Sequence, residues 1–203
     1  MDRVQESNKS AMSRAESVLD FWFAPEPGAK VGTFRSQWFI PDPTFDRLCS
    51  ERFLTSYEDA AQGHLDEWRN EPRSCLALIL LLDQFPRNMF RGMAQAFATD
   101  AKARELSHHA VACGYDREFS PLKRMFFYLP LEHSENLDDQ RESVRLVRAL
   151  ATQSSDPAEL LKYAEEHLET IRRFGRFPTR NQALGRQSTQ EEIDFLREQN
   201  RPQ

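Results

Sequence analysis

The stretch CLALILLLDQFPRN, residues 75–88, decides the fold of this chain. Residues 75–82 are apolar on every side of a helix, which predicts a helix buried among other helices. This run is too short to span a bilayer, which takes about 20 apolar residues. Pro86 is predicted to end the helix, because proline has no backbone N–H and its ring clashes with the preceding turn. Asp83 therefore follows a buried segment directly, where a charged group needs a partner.

Composition points to helices along the rest of the chain. The protein has 203 residues, 39% of them apolar and 29% charged, with only seven glycines and no run of alternating β-branched residues. These values favour an all-α chain with one sizeable core rather than a sheet. We therefore predict a single helical domain over residues 1–203, with residues 1–12 disordered or frayed and residues 24–41 forming a loop.

Prolines and glycines divide the chain into helices. Asp42-Pro43, Ser120-Pro121 and Asp156-Pro157 combine an N-cap residue with a first-turn proline, and Gly63 and Gly114 are placed to end helices. The predicted helices, about eight in number, cover roughly residues 13–23, 43–63, 72–86, 94–113, 121–130, 137–150, 157–175 and 188 onwards. Short connections between them predict antiparallel helix pairs, in a bundle or in a solenoid of hairpins.

Charge and cysteine content exclude several classes of function. A net charge of −5 and a pI near 5.6 argue against a general nucleic-acid or membrane-surface binder. Cys49, Cys75 and Cys113 are far apart and fit apolar helix faces, so neither a disulfide scaffold nor a zinc site is expected. The first residues lack a secretory pattern, and we expect a reducing, cytoplasmic setting. No motif for a metal or an organic cofactor is present.

Three polar motifs, each beside a proline and an apolar segment, are the candidate functional residues. The first follows the buried helix and comprises Asp83, Gln84, Arg87, Asn88 and Arg91. A carboxylate at that position is expected to pair with arginine, whose planar fork binds both of its oxygens. The motif then serves either as an oriented acid or ligand contact, or as a helix-end ion pair at the Pro86 corner.

The second motif is Glu132-His133-Ser134-Glu135, which follows the apolar segment ending at Pro130. His133 between carboxylates can act as a general base whose tautomer is set by a neighbour. The alternative is structural, with Ser134 capping the next helix. A metal site has little support, because no second histidine or cysteine stands at ligand spacing.

The third motif combines arginines with aromatic residues near the C-terminus. Its candidate ligand-binding residues are His167, Arg173, Arg176, Arg180 and Asn181, and Arg172 and Arg186 lie nearby. Clustered arginines interleaved with phenylalanines can hold a phosphate or carboxylate. Otherwise they neutralise helix C-termini and the carboxylates of the first two motifs.

Several segments resemble one known family over nearly the whole chain and in the same order. They are VLDFWF (18–23), residues 77–91, FATD (97–100), residues 127–135, and residues 173–181 with LGR (184–186). This sequence is identified as a member of the bacterial domain of unknown function family 924. The resemblance implies an all-helical, tetratricopeptide-like right-handed superhelix and no particular activity. The family usually has histidine where this chain has Thr179, so a family role for that histidine would be altered here.

Two functional hypotheses follow from convergence of the three motifs on one hollow. In the first, Arg87, Arg173, Arg176 and Arg180 bind an anionic small molecule or a peptide carboxylate, while Asp83 and Glu132 orient the arginines. In the second, the protein is a hydrolase or lyase without a cofactor, with His133 as general base and Asp83 or Glu135 as its orienter or acid. A purely structural ion-pair network remains the third interpretation. The oligomeric state is left open.

Overall fold

The computed structural model of the protein describes residues 2–25, 28, 30, 33–151 and 157–199. Over these residues the chain forms eight α-helices and no strand, which confirms the all-α class. The helices are α1 (Asp2–Phe23), α2 (Pro43–Gln62), α3 (Pro72–Met89), α4 (Asp100–Cys113), α5 (Pro121–Glu132), α6 (Leu137–Ala151), α7 (Pro157–Phe174) and α8 (Gln190–Gln199). Short 3-10 turns cover Ser36–Trp38, Asp66–Asn70, Ala94–Phe97, Tyr115–Glu118 and Pro178–Arg180.

Helix starts and ends that carry a local signal lie where the sequence predicts them. Asp42 caps α2, since its Oδ1 accepts hydrogen bonds from the backbone N–H groups of Thr44 at 2.9 Å and Phe45 at 3.1 Å. Gly63 ends α2 with a φ of +87°, in the left-handed region where a side chain is strained. α1 differs, because it already begins at Asp2, within the segment predicted to be disordered or frayed.

Pro86 does not end α3, and the prediction that it would is wrong. The helix continues to Met89 with Pro86 inside it. Proline cannot bond to the carbonyl four residues earlier, which is that of Leu82. The hydroxyl of Thr99 donates to this carbonyl instead, at 2.6 Å. A partner from outside the helix thus removes much of the cost of an interior proline.

Pro130 likewise lies within α5, which runs on to Glu132, so the predicted stop at Pro130 is also wrong. In the turn before the proline, the buried Ser107 hydroxyl donates to the carbonyl of Phe127. His133 then closes the helix, and its backbone N–H bonds to the carbonyl of Leu129 at 2.8 Å. Because both helices pass their prolines, Arg87 and Glu132 are presented by helix rather than by loops.

α3 is the centre of the core. Residues 75–82 are at most 1% exposed, and α3 packs against α1, α2, α4 and α5. The remaining helices continue the series, since α6 packs against both α5 and α7. Trp22 of α1 joins them, with its ring 5.0 Å from that of Phe85 and 5.9 Å from that of Phe126. Burying such aromatic and aliphatic groups supplies most of the driving force for folding.

Packing of each helix from α2 to α7 against the next agrees with paired helices. The right-handed, tetratricopeptide-like superhelix and the division into one domain over residues 1–203 stay predictions. Among the described helices, none combines the length and the apolar character that crossing a bilayer requires.

Candidate functional site

Asp83 and His133, fifty residues apart in sequence, form the centre of the polar cluster. Nδ1 of His133 lies 2.9 and 3.0 Å from the two carboxylate oxygens of Asp83. The side-chain amide of Gln84 donates to the same carboxylate at 2.7 Å. The side chain of Asp83 is only 1% exposed, so these bonds replace the water that it loses on folding. A carboxylate can only accept, which places the proton of neutral His133 on Nδ1.

Asp100, at the first position of α4, joins two arginines from different elements. Arg87 donates to both of its oxygens, at 2.8 and 3.0 Å, and Arg180 approaches Oδ2 at 3.3 Å. Nη1 of Arg87 also lies 3.3 Å from Oδ1 of Asp83. Two guanidinium groups therefore share the charge of Asp100, and Arg87 has the closer contacts.

Arg180 is held between two aromatic rings. Its guanidinium carbon lies 4.8 Å from the ring centre of Phe97 and 4.4 Å from that of Phe177. These cation–π contacts leave the N–H groups of the guanidinium for hydrogen bonds. One of these goes to the backbone carbonyl of His133 at 2.8 Å. Burial, together with the nearby charge of Arg87, lowers the pKa of Arg180 to about 10.

Glu132 is a buried carboxyl group, and its contact with His167 is long. Its side chain is 8% exposed, and its Oε1 lies 3.5 Å from Nδ1 of His167. That nitrogen already donates to the backbone carbonyl of Tyr163 at 2.8 Å. Burial, with the nearby charge of Asp83, raises the pKa of Glu132 to about 8. Burial also lowers the pKa of His167 to about 4. At neutral pH both groups are thus largely uncharged.

Neighbouring groups determine the charge states of Asp83 and His133. Although burial alone would raise the pKa of Asp83, the charge of Arg87 and the contact with His133 hold that pKa well below its usual range. Burial and the charge of Arg87 lower the pKa of His133, outweighing the attraction of Asp83. The cluster therefore contains an ionised Asp83 next to a neutral His133 at neutral pH.

A cleft of about 310 Å³ adjoins this cluster. It is lined by Phe97, Ala98, Asp100, Ala101, Arg104, Pro130, His133, Ser134, Glu135, Arg180 and Leu184. His133 links the two, because its Nδ1 faces Asp83 while the residue also lines the cleft. Asp83, Glu132 and His167 are not among the residues that line the cleft. No group of three or more metal-ligating side chains is positioned to hold a metal ion in the described part of the chain.

Glu135, at the edge of the cleft, has a different role from the one that the enzyme hypothesis gives it. Its two oxygens accept from Arg186 at 2.8 and 2.9 Å, and Oε1 accepts from the backbone N–H of Phe177 at 2.8 Å. Although burial opposes the shift, these donors lower its pKa. Glu135 is therefore an ionised carboxylate that fastens the loop before α6 to the segment after α7, and it makes no contact with His133 that would orient it.

Two other predicted residues of the first motif connect α3 to α2. Arg91 donates to both oxygens of Asp46 at 2.9 and 2.8 Å, and Asn88 donates to Oδ1 of Asp46 at 2.9 Å. Neither side chain lines the cleft. Of the first motif, the structure brings Asp83, Gln84 and Arg87 to the cluster.

Three predicted residues of the third motif instead fasten α8 to the segment before it. Arg173 pairs with Glu191 at 2.8 Å, and Arg176 contacts both oxygens of Glu192 at 2.6 and 2.8 Å. The buried Asn181 donates to Ser188 at 3.0 Å and to Glu192 at 3.3 Å. These contacts are structural, but the carboxylates belong to the first turn of α8 and not to the first two motifs as predicted. Thr179, where the resemblance implies histidine, is exposed.

Sequence reasoning missed Asp100, Phe97 and Arg104. Asp100 pairs two arginines of different motifs, Phe97 covers Arg180, and Arg104 lines the cleft while pairing with Asp139 at 3.5 Å. The segment FATD (97–100) was available as a signal, since it is one of those that carry the family resemblance. The FATD segment contains neither a proline nor a histidine, so its local sequence does not indicate that it belongs to a site.

Comparison with known proteins agrees with this architecture. Residues 18–200 match the model of a bacterial protein family of unknown function, DUF924. A solved structure of a protein of unknown function from Agrobacterium tumefaciens is similar, with 40% sequence identity and a TM-score of 0.82. The match covers 92% of this chain and 98% of that one. No functionally curated protein matches the chain.

Proposed function

The chain belongs to the DUF924 family of bacterial proteins of unknown function. From the geometry of the site, we propose that the cleft beside Arg180 binds a small anion. The ligand is a small molecule or the terminal carboxylate of a peptide. The observation that carries this proposal is Arg180 itself, a cation on the cleft wall whose contact with the Asp100 carboxylate, at 3.3 Å, is shared with Arg87.

Incomplete compensation of Arg180 supports an anionic ligand. Its side chain is 13% exposed, and burial together with Arg87 lowers its pKa to about 10. A largely buried cation gains free energy when an anion arrives, because burial has removed much of the water that stabilised its charge. The stacked rings of Phe97 and Phe177 fix the guanidinium, so little side-chain entropy is lost on binding.

The other predicted arginines are poorer candidates for the ligand. Arg173 and Arg176 are engaged by carboxylates of α8, and Arg87 holds both oxygens of Asp100. A cleft of about 310 Å³ is at the small end of the range for ligand pockets. Its size supports a small molecule or a single terminal carboxylate rather than a long peptide.

The test is an NMR titration of ¹⁵N-labelled protein with acetate, inorganic phosphate and N-acetylglycine in turn. N-acetylglycine serves as a model of a peptide carboxylate. We expect at least one of them to shift the amide signals of residues 97–104, 133–135 and 180 together, with one dissociation constant. A constant on the order of 1 mM would correspond to about −4 kcal/mol, as expected for so small a ligand.

Variants assign the binding to Arg180. Arg180→Met should abolish the shifts, whereas Arg173→Met, which removes a predicted arginine in an exposed ion pair, should leave them unchanged. Thermal unfolding of each variant checks that it is folded. Absence of any saturable shift with all three anions, or equal binding by Arg180→Met, would overturn the proposal.

One observation favours a second candidate function, proton-transfer catalysis with His133 as general base. Nδ1 of His133 is bound to Asp83, so in the neutral ring Nε2 is an acceptor, and His133 is one of the residues that line the cleft. Such a base would accelerate hydrolysis of a test ester such as 4-nitrophenyl acetate. His133→Asn should then lose the activity and His64→Asn, at an exposed position, should keep it. Equal rates in both variants would refute this candidate.

A cytoplasmic setting is also part of the proposal. Cys49, Cys75 and Cys113 are all free thiols, which supports a reducing compartment.

A further inference from the structure

We infer that the ligand of this cleft is a monocarboxylate with an apolar body, such as a short fatty acid or an aromatic acid. The inference rests on the proposed function and adds the chemical class of the ligand. Three features of the cleft support it: the apolar part of its wall, the balance of its charges and the way its one histidine is bound.

The wall of the cleft is divided between polar and apolar groups. Its apolar side chains are Phe97, Ala98, Ala101, Pro130 and Leu184. Leu184 is 36% exposed, so part of a large aliphatic side chain is left in contact with water. A ligand that carries methylene or aromatic groups would cover this surface, whereas a bare inorganic anion would not.

The charges on the wall favour one negative charge over two. Arg180 and Arg104 are positive, and Asp100 and Glu135 are negative. Glu135 is neutralised by Arg186, and Arg104 is paired with Asp139. Arg180, 3.3 Å from Asp100, is the lining cation whose carboxylate partner is held more closely by another arginine, since Arg87 lies 2.8 Å from the same carboxylate. A dianion such as phosphate would bring a second charge close to Asp100, which repels it.

His133 adds a further argument against a dianion. Its Nδ1–H is taken by Asp83, so the neutral ring turns an acceptor nitrogen toward its free side. A ring nitrogen that only accepts hydrogen bonds does not stabilise a second charged oxygen of the ligand. The ligand carboxylate is therefore expected at the N–H groups of Arg180, beside their contacts with Asp100 and the His133 carbonyl. The apolar body would extend over Phe97 toward Leu184.

The experiment compares the binding of acetate, propanoate, butanoate and inorganic phosphate by NMR titration of the labelled protein. Each methylene that is buried should tighten binding by about fourfold, so butanoate should bind roughly tenfold or more tighter than acetate. Inorganic phosphate should bind more weakly than butanoate. These ratios depend on the apolar wall and not on the presence of Arg180 alone.

A matched pair of leucine variants tests the wall directly. Leu184 is 36% exposed and Leu54 of α2 is 37% exposed, so serine at either position should leave the fold intact. Leu184→Ser should weaken butanoate severalfold and leave acetate nearly unchanged, whereas Leu54→Ser should change neither.

The outcomes separate this inference from the proposed function. If acetate and butanoate bind equally, or phosphate binds more tightly than butanoate, the carboxylate class is wrong while anion binding stands. The same holds if Leu184→Ser and Leu54→Ser behave alike. If none of the four anions binds in a saturable way, the proposed function itself fails.

Discussion

Replacing Glu132 by glutamine should remove part of the pH dependence of the free energy of unfolding. Glutamine is nearly isosteric with the protonated acid and cannot ionise. In the folded protein the pKa of Glu132 is raised to about 8 from a normal value of 4.5, because the group is buried and lies near Asp83. The folded state therefore keeps a proton that the unfolded state releases between these two pH values.

The sign and the size follow from proton linkage. Where the folded state binds one more proton than the unfolded state, the free energy of unfolding falls by about 1.4 kcal/mol per pH unit. The contribution of Glu132 is fully present below pH 4.5 and is lost as the pH rises to about 8. Over this interval the total is on the order of 5 kcal/mol. The free energy of unfolding of wild type minus that of Glu132→Gln should fall by that order.

Urea unfolding at intervals from pH 5 to pH 9 measures this difference. Taking the difference cancels groups that titrate alike in both proteins, including most of the contribution of His133 and His167. Glu135→Gln is the control, because the pKa of Glu135 is lowered and its difference curve should be flat over the same range. A flat curve for Glu132→Gln as well would refute the assignment of Glu132 as a buried, protonated acid.

Further predictions concern the interior proline and the second histidine. Thr99→Val removes the hydroxyl that bonds to the Leu82 carbonyl, and we expect a loss of about 1–3 kcal/mol in urea unfolding. In a Pro86→Ala background this loss should shrink, because a backbone N–H at position 86 can bond to that carbonyl; equal losses in both backgrounds would contradict the argument. His167 has its pKa lowered to about 4, so its ring should stay neutral at pH 5.5 in NMR spectra. Titration of that ring near pH 6.5 would show that the site is more hydrated than described. Between pH 6.5 and about 4 the unfolded chain binds a proton at His167 that the folded protein does not, so the free energy of unfolding should fall as the pH is lowered through this range.

Local signals in the sequence were sufficient for much of the fold. The apolar run 75–82 predicts a central buried helix, and Asp42-Pro43 with Gly63 fixes both ends of α2. Pro86 misled the prediction because the Leu82 carbonyl that it frees has a hydrogen-bond partner outside the helix. Thr99 supplies that partner for Pro86 from another element, and no local pattern reveals a contact over seventeen residues.

The candidate site was predictable only in part for the same reason. Asp83 and His133 each stand out, since a charged or titratable group directly follows an apolar helix. Their contact at 2.9 Å depends on how α3 and α5 pack. Arg173 and Arg180 look alike in sequence, yet one forms an exposed pair with Glu191 and the other is stacked and buried. Which arginine faces a cleft is decided by tertiary structure alone.

A crystal structure of the protein with butanoate would test the central claim most directly. The account predicts the carboxylate within hydrogen-bond distance of the Arg180 guanidinium, with the alkyl chain lying on Phe97 and Leu184. Butanoate bound elsewhere, or bound in the cleft with its carboxylate turned away from Arg180, would contradict it.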